Sequence, residues 1–572
     1  MSIDIETYRL KAQEAIEYVF VKEYHNSLGI PMPIVKMLLP DDANYSTGQY
    51  YITIDKTWQI HLNFGKLPIS YHEFQNEVKV LTRHEIEHYM CCPFDVITHF
   101  RMLKRIRDVY YKHFSHLGIN IEYACGAISN QAADIIVDTK NYYRHSKETL
   151  KSEIDWIKIG ANISACPRHC KLMFLTKEAI WKEDLGINET DPEFLKIVHQ
   201  LADSFTKNGI EDKSSFLDKV EEYAEIFFKL YVEDQKNPQQ SSQQGSQQQN
   251  GQQGSQQQSG QQGPQQQSGQ QGVGRPKDGD EHGNAFVFAD PDKVKEAIEV
   301  LAEETSVEEF IDLLAIAGII GMSDKQKGVL WFNVQSANII PIVEFSNTGN
   351  KSSYTYPSVW RIGDPIEELD LMLTYMTSPR LIPGMTTKKW GYVSNDDNGT
   401  ESKQMDLLLV VDTSGSMGSA MKESANMHQA VLASYGILSY FESTKSKVAF
   451  IGFSDKIDAY VDWSDKYDDV RERLLTNGHG GTKFPISRIK STLDVRSRDL
   501  VTVLITNGDL GNINESVSYF RDYLNDDNKL YIFLLGGSKS LHSYEPLKNI
   551  GAKIYNANNA NEFCDMVLTD ME

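Results

Sequence analysis

A chain of 572 residues is longer than one hydrophobic core organises, so two to four domains are expected, and 40% hydrophobic content is enough to build them. A formal net charge of -22 and a pI near 5.2 exclude the basic face on which nucleic-acid binding rests. No run approaches about 18 consecutive apolar residues, and the acidic start Met1-Ser2-Ile3-Asp4 lacks a basic-then-apolar leader. Six cysteines in a chain this long are not spaced as a disulfide framework, so a cytoplasmic protein with reduced thiols, away from membranes, is expected.

In chain order, Ile5 to Glu23 carries apolar residues at helical spacing, and Tyr50–Ile54 followed by Trp58–Leu62 spells a short hairpin. Val80 to Met90 is helix-compatible and contains His84-Glu85-Ile86-Glu87-His88. Two imidazoles four residues apart share a helical face and can reach one ion, while Glu85 sits where it can take a proton from water. A zinc site needs a third protein ligand. Ile128 to Asp138 is a second helical stretch, with Asp134 and Asp138 one turn apart.

This pairing is similar to the thermolysin-like group. There a downstream helix supplies a carboxylate ligand and, four residues later, an Asp that orients a ligand imidazole. Carried over by position, the resemblance makes Asp134 the third zinc ligand and Asp138 the partner of His84 or His88. Asp replaces the group's usual Glu at 134, which shortens the reach. Other candidates are weaker: Cys166-Pro167-Arg168-His169-Cys170 has no second pair at zinc-finger spacing. Cys91 and Cys92 adjoin the His-bearing helix but are adjacent in sequence, and His99, His113 and His116 are spare imidazoles that nothing singles out.

From about Asn237 to Gly274 the chain is almost entirely Gln, Ser and Gly, which cannot bury enough apolar area to offset ordering entropy. A flexible tether spanning on the order of 35 Å is expected there. Beyond it, Val294 to Met322 has helical periodicity and Trp331 to Phe345 suggests strands, together an extension packing on the domain that follows.

Asp406 to Val411 is a nearly all-apolar run, as expected of a parallel strand buried on both faces, and it ends in Asp412-Thr413-Ser414-Gly415-Ser416. Strands at Lys447–Ser454, Leu500–Thr506 and Lys529–Leu535, with a helix at Met421–Phe441, spell a doubly wound α/β domain. A carboxylate and two hydroxyls on one tight loop suit Mg²⁺ or Mn²⁺. Asp-x-Ser-x-Ser after such a strand resembles the metal-ion-dependent adhesion site of von Willebrand A domains. That likeness adds Thr482, in Gly480-Gly481-Thr482, and Asn507 as metal-binding positions. Asn507-Gly508-Asp509 departs from the family's usual Asp-Gly, so the site loses a negative charge, although Asp509 offers a water-mediated ligand.

Both ends together resemble bacterial and phage proteins with an N-terminal metallopeptidase-like domain and a C-terminal von Willebrand A-like domain, a type that accompanies MoxR-type AAA ATPases. The expected organisation is a mainly α (α+β) zincin-like domain at 1–236, a disordered linker at 237–280, an extension at 281–400 and the A-like domain at 401–572. The resemblance implies a zinc-dependent endopeptidase, with His84, His88 and Asp134 as ligands and Glu85 as general base, whose second domain docks a protein partner. Its alternative is a non-catalytic adaptor of a MoxR-type ATPase, which would supply the ATP hydrolysis that this chain, lacking a phosphate loop, cannot.

Overall fold

The computed structural model describes residues 5–42, 50–54, 59–64, 70–159, 163–236, 291–319, 322–339, 358–359, 369–370, 388–389, 405–496, 499–508, 510–526, 528–535 and 541–557. The expected linker at 237–280, Trp58, residues 340–345 and Asp509 lie outside them. The chain divides into two compact units, Met1–Thr305 with Glu309–Met322 and Ser306–Glu308 with Ser323–Glu572. No helix among the described residues is long and apolar enough to cross a membrane.

Unit 1 is mainly helical. Helix α1 (Ile5–Glu17) continues into a π-helical turn (Tyr18–Glu23), and strands β1 (Ile34–Met37), β2 (Tyr50–Ile54) and β3 (Gln59–Phe64) form one sheet in the order β1-β3-β2. The β2–β3 pairing is antiparallel, as the hairpin reading requires, and β1 adds to the other side of β3 in parallel. Helix α2 (Tyr71–Met90) starts at Ser70, whose hydroxyl accepts from the Glu73 amide, so an orphan N–H of the first turn is satisfied. Along α2, Phe74, Val78, Thr82 and Ile86 recur every four residues, are fully buried and face α1 and the sheet. Burying one such Phe or Ile side chain is worth about 1.5–3 kcal/mol.

Helix α3 (Val96–Val109), capped by Asp95, precedes α4 (Ile121–Ile159), which has one non-helical residue inside it, His145 at φ -134 and ψ 47. Helices α5 (Arg168–Trp181), α6 (Pro192–Thr206) and α7 (Phe216–Lys236) complete the layer.

The stretch expected to extend the C-terminal domain is divided instead. Helices α8 (Pro291–Glu304) and α9 (Val307–Ile316) belong almost wholly to unit 1. Their acidic residues explain the choice: Glu304 pairs with Arg101 and Asp312 with Arg107, both on α3, above buried Leu301, Phe310, Leu313 and Leu314. Helix α10 (Asp324–Ile339) belongs to unit 2, so the strand expectation from Trp331 is wrong for 331–339. Burial at Lys327, Trp331, Phe332 and Ser336 follows a helical stripe; bulky β-formers were misread because they pack as a helix face, with the Trp331 and Phe332 rings tilted against His428.

In unit 2, two-residue strands β4 (Ser358–Val359), β5 (Leu369–Asp370) and β6 (Lys388–Lys389) make a small sheet. The main sheet contains β7 (Asp406–Asp412), β8 (Val448–Phe453), β9 (Ile457–Ser464), β10 (Leu500–Thr506), β11 (Lys529–Leu535) and β12 (Lys553–Ala557), in the order β12-β11-β10-β7-β8-β9. All neighbours are parallel except β8 and β9. The helices are α11 (Asn426–Ser443), α12 (Tyr467–Leu474), α13 (Ile486–Leu493), α14 (Val517–Asn525) and α15 (Leu541–Lys548). Strands β7 and β10 are buried at every position, which is why they read as continuous apolar runs. The order reverses between β7 and β10, so right-handed crossovers send helices to opposite faces and leave a crevice at the carboxyl ends of these two strands.

Candidate metal centre and the switch-point crevice

Helix α2 displays three chemically distinct stripes. One is the apolar face just described. A second, Arg83 and Glu87, is ionic: buried Arg83 pairs with Glu23 and Glu148, and fully buried Glu87 meets Lys140 and Arg144 at 2.8 Å each and accepts from the Tyr24 hydroxyl at 3.0 Å. The third stripe is His84 and His88, turned toward α4.

There, His84 Nε2 and His88 Nε2 are 3.0 Å apart, and Asp134 Oδ1 lies 3.5 Å from the first and 3.3 Å from the second. These three residues form the one group among the described residues whose ligand atoms converge as for a metal ion. Zinc–nitrogen bonds of about 2.0–2.1 Å imply tetrahedral ligand separations of about 3.3–3.4 Å, close to these distances. Each ring is also fixed from behind: His84 Nδ1 donates to Asp138 Oδ1 at 2.7 Å and His88 Nδ1 donates to the Cys92 carbonyl at 2.8 Å. In a neutral imidazole that leaves the Nε2 lone pair facing the centre, the tautomer a metal requires. Asp134 Oδ2 accepts from Asn130 at 3.0 Å, whereas its Oδ1 is buried and accepts no hydrogen bond. Two lone pairs and an orphaned carboxylate oxygen converging in a buried place call for a cation.

The titration of His84 points the same way. Burial opposes charging the ring, but Asp138, in both charge and hydrogen bond, with Asp134 and Glu85, outweighs it and pushes His84 up to about 10. The centre is thus a place that stabilises positive charge, and a metal there would compete with a proton. Asp138 is held well below the usual carboxylate range: burial opposes this, and Lys177 and His84 overcome it. Glu85, half-buried beside the pair, forms no ion pair or side-chain hydrogen bond among the described residues.

The other sequence candidates stay apart from this cluster. Burial pushes the Cys91 thiol up to about 11 and Cys92 well above its ordinary value, so both remain thiols, and Cys92 contributes its carbonyl instead. Burial likewise raises Cys166, and Cys170 to about 12; neither joins a metal group, while His169 donates to Asp234 at 2.9 Å. His99 is buried on α3, and His113 and His116 are exposed on the turns after it.

In unit 2 the loop after β7 occupies the crevice. Asp412 is fully buried; its Oδ1 accepts from the Ser414 amide at 2.9 Å and its Oδ2 from the Thr506 hydroxyl at 2.6 Å. Ser414 Oγ lies 3.1 Å from Ser416 Oγ, which donates to Asn507 Oδ1 at 3.1 Å, and Asn507 Nδ2 donates back to the Ser416 carbonyl. The 478–482 loop is drawn alongside by Gly415 N to Gly480 O at 3.3 Å and Gly478 N to Thr413 O at 3.1 Å. Gly478 has to be glycine, since a Cβ there would fall 2.6 Å from Thr413 O and 2.3 Å from Asp458 Oδ2. Thr482 is half-buried, and no hydrogen bond links it to Asp412, Ser414 or Ser416 among the described residues. A cavity of about 390 Å³ lies at the opposite end of β10, beside Asp499 and Leu500, away from this crevice.

Lys177, Glu153 and Thr506 were missed by sequence reasoning. A lone Lys or Glu in a helix carries no motif signal; Thr506, as the last residue of an apolar strand opposite Asp412, had a weak one.

No family model and no curated protein matches the chain. Among solved structures, the pilus adhesin SpaC from Lactobacillus rhamnosus GG, in its open conformation, aligns at 13% identity with a TM-score of 0.24. The match covers 30% of this chain and 30% of that one, so the chain spans under a third of the adhesin's length.

Proposed function

We propose that this chain is a two-part metal-binding adaptor: a buried zinc centre of the zincin type in unit 1, and a von Willebrand A-like docking domain in unit 2 that holds a protein partner through Mg²⁺ or Mn²⁺. The observation that carries the zinc assignment is the convergence of two oriented Nε2 atoms on the orphaned Oδ1 of Asp134. For the docking domain, support comes from the strand order with its reversal between β7 and β10, and from oxygen-only donors (Asp412, Ser414, Ser416, Asn507) at that reversal. Thr482 stands on the neighbouring loop, which Gly478 and Gly480 tie to the Asp412 loop. The partner we propose is a MoxR-type AAA ATPase.

One observation favours a second reading, zinc-dependent peptide hydrolysis: Glu85 lies close enough to act on His84 and forms no ion pair or side-chain hydrogen bond among the described residues. Zinc when bound supplies Lewis acidity. His84, His88 and Asp134 would hold it, Asp138 would keep His84 aimed, and Glu85 would take the proton of the attacking water and pass it to the leaving amine.

Elemental analysis of the wild type, His84→Ala and Glu85→Gln tests the centre. Near-stoichiometric zinc is expected in the wild type and in Glu85→Gln, with loss in His84→Ala; zinc-free wild type prepared without chelator would sink it. Capture of a MoxR-type ATPase should require Mg²⁺ and be lost in Asp412→Ala, and binding that survives both changes rejects the docking assignment. Peptide cleavage by the wild type but not by Glu85→Gln would favour hydrolysis over the adaptor.

A further inference from the structure

A lysine paired with two carboxylates is buried beside the His/His/Asp centre, and the proposed function gives it no part. Lys177 is on α5, its side chain only 2% exposed. Its ammonium lies 3.0 Å from Asp138 Oδ2 and is paired on its other side with Glu153. Asp138 is therefore a bridge: Oδ1 accepts from His84 and Oδ2 accepts from Lys177. A chain of contacts runs Glu153, Lys177, Asp138, His84 and ends at the Nε2 atom that faces the centre.

Tertiary structure had to be arranged for this. Asp138 and Glu153 sit on the same helix fifteen positions apart, which a straight helix would separate by about 22 Å. One ammonium reaches both carboxylates because α4 is broken at His145 and its second half turns back. Helix α5 is tied to the first half of α4 by the Trp181 indole donating to Thr139 at 3.0 Å and by Tyr142 stacked on Trp181 at 4.7 Å. The rings of Phe174 and Trp181 line the lysine at 5.2 and 5.9 Å and shield it from water. Burying an ammonium is costly unless it is fully paired, so a neutral filler would serve better if packing were the only need.

We propose that Lys177 is a positioning residue for the metal centre: by holding Asp138 Oδ2 it locks that carboxylate in the rotamer that aims His84, with Glu153 anchoring the ammonium. The inference rests on the metal-centre reading above. It makes a counterintuitive claim, since removing a nearby cation should strengthen metal binding by electrostatics alone, whereas loss of orientation weakens it.

The test is Co²⁺ binding to the full chain, followed by chelator competition and by the visible spectrum of the bound ion. The double variant Lys177→Met/Glu153→Gln keeps the net charge and removes only the anchor. It is expected to bind Co²⁺ about 10–100-fold more weakly, with an altered spectrum, the range typical for groups that orient a metal-ligating His. Lys177→Arg, which keeps charge and donor, should restore most of the affinity. Wild-type affinity and spectrum in a folded double variant overturn the role of Lys177 and leave the metal centre standing; a wild type that binds no Co²⁺ removes the centre itself. Should the double variant not fold, Lys177→Arg against Lys177→Gln decides: Arg is expected to bind at least about tenfold tighter, and equal affinities, or tighter binding by Gln, overturn the proposal.

Discussion

The cluster on α2 and α4 and the crevice between β7 and β10 are organised in opposite ways. In the first, each imidazole is satisfied from behind and its remaining lone pair is aimed at a buried carboxylate oxygen with no hydrogen-bond donor. In the second, the polar atoms satisfy one another: both oxygens of Asp412 accept hydrogen bonds, Ser414 meets Ser416, and Ser416 and Asn507 exchange hydrogen bonds. A largely buried site left unsatisfied in this way is suited to a cation. A site whose polar atoms already pair with one another would have to exchange those hydrogen bonds for coordination, so on the proposed function weaker, reversible metal binding is expected there. Tight binding would then suit a built-in centre and exchangeable binding would suit docking.

The largest effect that would sharpen this contrast is on the scaffold of the first site. Glu87→Ala takes one of two carboxylate partners from Lys140, which keeps Glu211, and the buried partner from half-exposed Arg144, and unit 1 is expected to lose about 2–3 kcal/mol, read from urea denaturation. A loss below about 1 kcal/mol would mean that the ionic stripe is not what holds α2 against α4.

A smaller effect addresses the second site. Asn507→Asp restores a negative charge beside Ser416 and is expected to tighten Mn²⁺ binding by about tenfold, measured by paramagnetic relaxation of water. Unchanged or weaker binding would break the comparison, because charge would then not be what limits the crevice.

The smallest concerns pH. Burial holds His428 below its ordinary value, against the opposing pull of the Ala420 carbonyl and Glu423. Below about 6.5 the unfolded chain takes up a proton that the folded one refuses, so stability falls as pH drops through that range and is regained above it. Denaturation of the wild type between pH 7 and 5 should show that slope, and His428→Gln should flatten it; an equal slope in both places the titration elsewhere.

Legibility followed the range over which the information acts. His84 and His88 are one helical turn apart, and Asp134 and Asp138 likewise, so local periodicity places each pair on one face before any packing is known. Strands β7 and β10 were legible because burial on both faces leaves an uninterrupted apolar run. Trp331 to Ile339 was not, because aromatic and β-branched residues suit a strand and a buried helix face equally, and only the neighbours His428 and Tyr435 on α11 decide. Residues 291–316 were assigned to the wrong side for a similar reason: the partners of Glu304 and Asp312 are Arg101 and Arg107, some 200 positions away.

By itself, then, the sequence determined the element types with strong periodicity and the residue types able to ligate a metal, since both depend on spacing within one helix or one loop. Only the tertiary structure decided which ring nitrogen faces the centre, that Asp138 rather than solvent orients His84, and that a break at His145 brings Glu153 to Lys177. Those outcomes depend on where a buried charge finds its partner, and the cost of leaving it without one is set by the whole fold around it.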